Sequence, residues 1–222
     1  MRTMDAVLAL GVLFPVMALA EPTYLNLSTP ITVDVGPGTT ATTSNNTFTR
    51  GFGIEKVIDA PSADAEEFHN QDTHIWYSGG ALELRFDFGT AYDLTTLHFW
   101  NYTGEAYDVD QIDFTLFDGS GVESGQLTVF PALGSPGGIR AEDIPLAAPQ
   151  NVRYVTALLS GSNGQVDFQN LGFTATLSTD RCGESPNDPI CKTPEETVPY
   201  PLMAPLFLST GLITIALGSR RA

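Results

Sequence analysis

The sequence predicts an all-β domain of antiparallel sheets packed face to face, and three observations carry that reading. Apolar residues through the middle of the chain recur with a period of two, and Gly, Asp and Asn punctuate the runs. No stretch between residues 21 and 180 sustains an apolar stripe at helical spacing. Strands with one apolar face and no intervening helices can cover that face only with another sheet. A closed barrel satisfies the same pattern. A doubly wound α/β fold does not, because nothing would cover both faces of its sheet.

In chain order, residues 1–20 read as an export signal. Arg2 gives a weak positive start, Ala6 to Ala20 form an apolar run, and Ala18-Leu19-Ala20 is the small-x-small pattern that a signal peptidase accepts before Glu21. Residues 21–49 are Thr, Ser, Asn, Gly and Pro-rich, with one alternating piece, Leu25 to Val35, expected to be an edge strand. Ala81 to Phe88 is the clearest strand: Leu82, Leu84, Phe86 and Phe88 share a face, and Gly89 is expected to stop it. Leu94 to Tyr102 follows, with Leu97 and Phe99 facing in and His98, Trp100 and Tyr102 facing away. Gln111 to Phe117 sets Ile112, Phe114 and Leu116 on one side before an Asp118-Gly119 turn. Leu127 to Phe130 is short, Val152 to Leu158 alternates Val152, Tyr154, Thr156 and Leu158, and Val166 to Leu177 changes parity between Phe168 and Phe173. That change predicts a bulge at 170–172.

After Asp180 the composition turns to Pro, Glu, Ser and Thr, giving a linker over 181–200. It holds the only cysteines, Cys182 and Cys191, expected to pair as a local staple in the oxidising compartment that an export signal implies. Residues 201–222 carry an apolar run, Pro201 to Gly218, then Arg220 and Arg221. The run matches the ~17–25 residues of one membrane span, and its basic flank stays cytoplasmic, which leaves the middle of the chain outside.

The charge narrows the partners. Residues 21–200 hold 7 of the 10 basic residues and 25 of the 26 acidic ones, a formal charge of −18. Nucleic acid is excluded as a partner, since phosphate backbones are bound by Lys and Arg.

Four pieces of the middle together resemble the discoidin, or coagulation-factor C-type, domain. They are Val57-Ile58-Asp59 followed by Trp76, Leu82-Glu-Leu-Arg-Phe-Asp-Phe-Gly89, Asn151-Val-Arg-Tyr-Val155 and Phe168-Gln-Asn-Leu-Gly-Phe173. The resemblance implies a galactose-binding-like jelly-roll β-sandwich over 50–180, joined by the strand at 25–35, with any ligand site in loops at one end. It also implies a structural calcium ion between the first loop and the closing strand, held by Asp59, Asp64 and Asn170, the last standing where the family has Glu. An alternative for the acids Asp59, Asp64, Glu66 and Glu67 is a hydrated loop with no ion. The tail, Val198-Pro199-Tyr200-Pro201 with its apolar span and Arg pair, resembles the exosortase-type (PEP-CTERM) sorting signal in its Val-Pro-Leu-Pro variant. That implies an exosortase-type processing enzyme as a partner and a place in a bacterial envelope, cell surface or extracellular matrix.

For chemistry, no Gly-x-Ser-x-Gly elbow occurs, and His69 and His74 at i, i+5 match no helical His-Glu-x-x-His pair, so both read as exposed loop residues. An enzyme is therefore the third reading. A non-catalytic module binding exopolysaccharide or another extracellular glycan is the first, and an interaction module without a sugar site the second. Sugars need aromatic rings for their C–H faces and fixed polar groups for their hydroxyls. Tyr77, Asn101, Tyr102, Tyr107, Trp100 and His74 are the candidate contacts, with Trp76 read as a core plug and Trp100 as core if the strand phase is off by one.

Overall fold

The structure, a computed structural model, describes residues 21–44, 51–70, 74–147 and 149–178. The export signal, the Cys182–Cys191 loop and the tail with Val198, Pro199, Pro201, Arg220 and Arg221 lie outside the described residues.

Among the described residues twelve strands follow one another: β1 (Thr23–Leu25), β2 (Thr32–Val35), β3 (Thr43–Ser44), β4 (Glu66–Glu67), β5 (Ile75–Ser78), β6 (Leu82–Asn101), β7 (Gln111–Phe117), β8 (Glu123–Val129), β9 (Ile139–Arg140), β10 (Glu142–Pro145), β11 (Val152–Ser160) and β12 (Gln165–Leu177). A 3-10 turn, Ile54–Ile58, is the one helical element among the described residues. Every pairing among the described residues is antiparallel. The main sheet runs β3-β5-β12-β6-β11-β7-β8, with β1 on β12 and both β2 and β10 on β6, while β4 and β9 form a separate ribbon.

The jelly-roll sandwich arises because β6 serves both layers. Its first half pairs with β2 and β11, and its second half pairs with β12 and β10. The switch falls at Gly89, which takes φ +75 and donates its N–H to Asp87 Oδ1 at 2.8 Å. A side chain is strained in that conformation, so glycine lets the strand turn where the sequence pattern expects it to stop. The two layers then meet around Phe173 of β12, whose ring lies 5.7 Å from Phe86, 5.4 Å from Phe88 and 6.3 Å from Phe114. Leu82, Leu84, Phe86 and Phe88 are buried on the face their alternation predicts, as are Ile112, Phe114 and Leu116.

Elsewhere bulges move the inward face. In β11 the register shifts between Val152 and Tyr154, so Val155, Ala157 and Leu159 point inward in place of Tyr154, Thr156 and Leu158. In β12 the shift falls between Phe168 and Asn170, just ahead of the predicted window. Trp100 does not face solvent. The β4–β9 ribbon and the loop at 60–65 cover the outer side of β6, and Trp100 sits fully buried there with Ala60 and Ile139, donating Nε1–H to Ala65 O at 2.9 Å.

Candidate functional site

β5 and β12 place the site. Their register pairs Ile75 with Phe168 and Tyr77 with Val166 on the core side, which leaves Trp76 and Asp167 as partners on the opposite side. Parity alone therefore corrects two expectations. Tyr77 packs on the core, where burial raises its phenol pKa, and Trp76 is the ring carried outward. Trp76 is half-buried, and its Nε1–H donates to Gln165 Oε1 at 2.8 Å.

The loop after β6 brings further rings to that side. Asn101, predicted as a ligand contact, lies beneath this loop, 1% exposed. Its Nδ2 donates to Val109 O and Ala132 O, and its Oδ1 accepts from the N–H groups of Tyr102 and Val109, each at 2.9 Å. With all four hydrogen bonds spent on backbone, it holds the loop in shape and offers nothing to a ligand. The loop is also pinned to β12 through the Asp167 N–H, which donates to Tyr107 O at 2.9 Å.

The result is a continuous strip of rings. Trp76 and Tyr107 have centroids 6.2 Å apart, Tyr107 and Tyr102 6.1 Å, Tyr102 and His69 4.4 Å, and His69 and His74 4.4 Å. Tyr107 and His69 are exposed, Trp76 and Tyr102 half-buried, and His74 buried. Under the strip lies the buried Asp167 carboxylate, 3.2 Å from His74 Nδ1. Burial raises the Asp167 pKa, and the hydrogen bond from His74 and the charges of both histidines oppose that rise. Desolvation lowers the His69 pKa, opposed by Asp167 and aided by His74. Sequence reasoning read Trp76 as core and His74 as solvent-exposed, and passed over Asp167; His69 is exposed as expected, whereas His74 is buried against Asp167. The signal was available in Asp167 itself, an acid between Val166 and Phe168 at the start of the closing strand.

The first loop and closing strand do meet, but as a hydrogen-bonded knot. Asn170 Oδ1 accepts the Ala60 N–H at 3.0 Å, which fixes the amide so that Nδ2 donates to Asp59 Oδ1 at 3.0 Å. Lys56 Nζ holds Asp59 Oδ2, and Asn26 Nδ2 donates to Ala60 O at 2.8 Å. Asp64 is exposed and outside this knot's hydrogen bonds. Calcium needs about 6–8 oxygen ligands. Here the amide presents N–H to Asp59 while Lys56 neutralises the carboxylate, so the residues at this position do not fit the ion. An ammonium and an amide do the tying that the resemblance assigns to calcium.

No family profile matches the sequence, and no curated protein is similar to it. Solved structures with a similar chain path include an F5/8 type C domain from Bacteroides fragilis, 10% identical, TM-score 0.48, covering 70% of this chain and 97% of that one. A family 32 carbohydrate-binding module from C. perfringens NanJ in complex with galactose is 11% identical, TM-score 0.45, covering 69% and 99%. The lectin domain of Lectinolysin complexed with Lewis B antigen is 14% identical, TM-score 0.44, covering 70% and 98%.

Proposed function

We propose that the domain is a non-catalytic glycan-binding module of an exported protein, and that the strip Trp76, Tyr107, Tyr102 and His69 is its sugar platform. The single observation that carries this reading is the strip itself. Four rings from three separate segments converge on one side of the sandwich, in a chain whose other tryptophan is fully buried. Partly exposed rings offer apolar faces to sugar C–H groups, and the neighbouring phenol and imidazole edges offer donors and acceptors to hydroxyls. The negative charge of the domain favours neutral or cation-bridged glycans over free polyanions. Export, and attachment to a bacterial envelope or matrix through the tail, are supported by Ala18-Leu19-Ala20 and by the Val198-Pro199-Tyr200-Pro201 segment with Arg220 and Arg221. A glycan array probed with the full-length protein and with Tyr107→Ala tests the reading. Binding to one class of neutral glycan, weakened about 2- to 13-fold in the variant, is expected from the loss of a ring contact of about 0.5–1.5 kcal/mol. A blank array, or equal binding by both proteins, overturns it.

A further inference from the structure

We propose that His69, His74 and Asp167 form a binding site for a first-row divalent transition metal ion of the zinc type, linking the loop before β5 to the closing strand. Each residue offers one donor atom, and these atoms all lie within 4.8 Å of one another. It is the one such cluster of three or more among the described residues.

The donor set selects the metal. Two imidazoles and one carboxylate suit zinc and its first-row neighbours, whereas calcium and magnesium are held by oxygen alone. Bonds of ~2.0–2.1 Å in a tetrahedral arrangement separate neighbouring donors by about 3.3 Å. His74 Nδ1 and Asp167 Oδ1 already stand 3.2 Å apart, and both residues are buried. That leaves His69 to close the remaining gap, and His69 is exposed on a loop, where an ångström of movement costs little.

A second observation points to the same place. Gln169 is fully buried, occupies the β12 bulge, and sets its amide against His69, with Nε2 3.1 Å from Nδ1. Its Oε1 is buried with no hydrogen-bond partner among the described residues. Turning that amide over directs Oε1 at His69, where it accepts the Nδ1–H and leaves the other ring nitrogen deprotonated for a metal. Metal-bound histidines are commonly oriented by such an outer partner. Gln169 is then a positioning residue for His69. Among the described residues three protein donors are present, which in a tetrahedral site leaves a fourth position for a further ligand. The site stands whether or not the strip binds a glycan.

The test is calorimetric titration of the metal-stripped, tag-free full-length protein with zinc chloride and no glycan present. One zinc per chain is expected, and binding persists when Cys182 and Cys191 are both changed to Ser. His69→Gln, an exposed position that leaves the core intact, weakens binding tenfold or more, since loss of even an outer partner costs ~10–100-fold. Gln169→Leu weakens it by less and shifts its pH profile, because the unoriented His69 must lose a proton to bind. Asp167→Asn, checked by melting for retained folding, also weakens it. No zinc binding by the unaltered protein, undiminished binding by His69→Gln, or displacement of zinc by an equal concentration of calcium each overturns the proposal.

Discussion

Replacing Asn170 with alanine tests the knot between the first loop and the closing strand. Asn170 is fully buried, and its amide makes two hydrogen bonds across the fold, one to the Ala60 N–H and one to the Asp59 carboxylate. The neutral bond is worth about 1 kcal/mol and the charged one about 1.5–3, and stranding a buried N–H adds to the loss. The expected destabilisation is therefore about 3–4 kcal/mol. For a domain of this size each kcal/mol moves the melting midpoint by about 2–4 °C, so the midpoint should fall by roughly 10 °C. Urea unfolding of the full-length protein, followed by near-ultraviolet circular dichroism, measures it directly. Asn170→Asp keeps the shape and the acceptor for Ala60 but sets a carboxylate against Asp59, so it should destabilise as well, increasingly as pH rises. A loss below about 1 kcal/mol in the alanine variant would refute the view that Asn170 ties the two segments.

Other outcomes follow from the same geometry. Because Asp59 is engaged by Lys56 and by Asn170 Nδ2, EDTA and added calcium should leave the melting midpoint unchanged once ionic strength is matched; a calcium-dependent rise would contradict the knot. Asp108 is buried, and desolvation, with Asp110 and Glu105 adding like charge, raises its pKa from 3.8 to about 6. The folded state holds that proton longer than the unfolded chain, so stability should fall as pH climbs from about 4 to about 6 and then level. Asp108→Asn should remove about 1–3 kcal/mol of that decline, read as the difference between the two pH profiles; superimposable profiles would dismiss it. Mass spectrometry of the mature protein should begin at Glu21, and alkylation without reductant should label neither Cys182 nor Cys191.

The strands that pack on one face only were legible in the sequence. Leu82 to Phe88 and Ile112 to Leu116 alternate cleanly because their other face meets solvent, and period two then marks the core. The second half of β6 and most of β12 hid their phase, because loops cover their outer side and both faces are buried. Trp100 belongs to that covered side. The bulge in β11 defeated parity, since one extra residue reverses every later side chain, whereas the parity change between Phe168 and Phe173 made the bulge in β12 legible. The site was half legible: Tyr102, Tyr107 and His74 lie in it, whereas Asn101 supports it from below and Tyr77 faces away. Asp167 and His69 are about a hundred residues apart, so only the β5–β12 pairing could bring them together.

The glycan-binding claim is tested most directly by the two indole N–H resonances in a nitrogen-15 spectrum of the protein. Trp76 stands in the ring strip and Trp100 is fully buried, bonded to Ala65 O, so one molecule carries both the probe and its control. Titration with the glycan that the array selects should move the Trp76 signal in a saturable way and leave that of Trp100 in place. A Trp76 signal unmoved at saturating glycan, or equal movement of both, would contradict the placement of the sugar site on this strip.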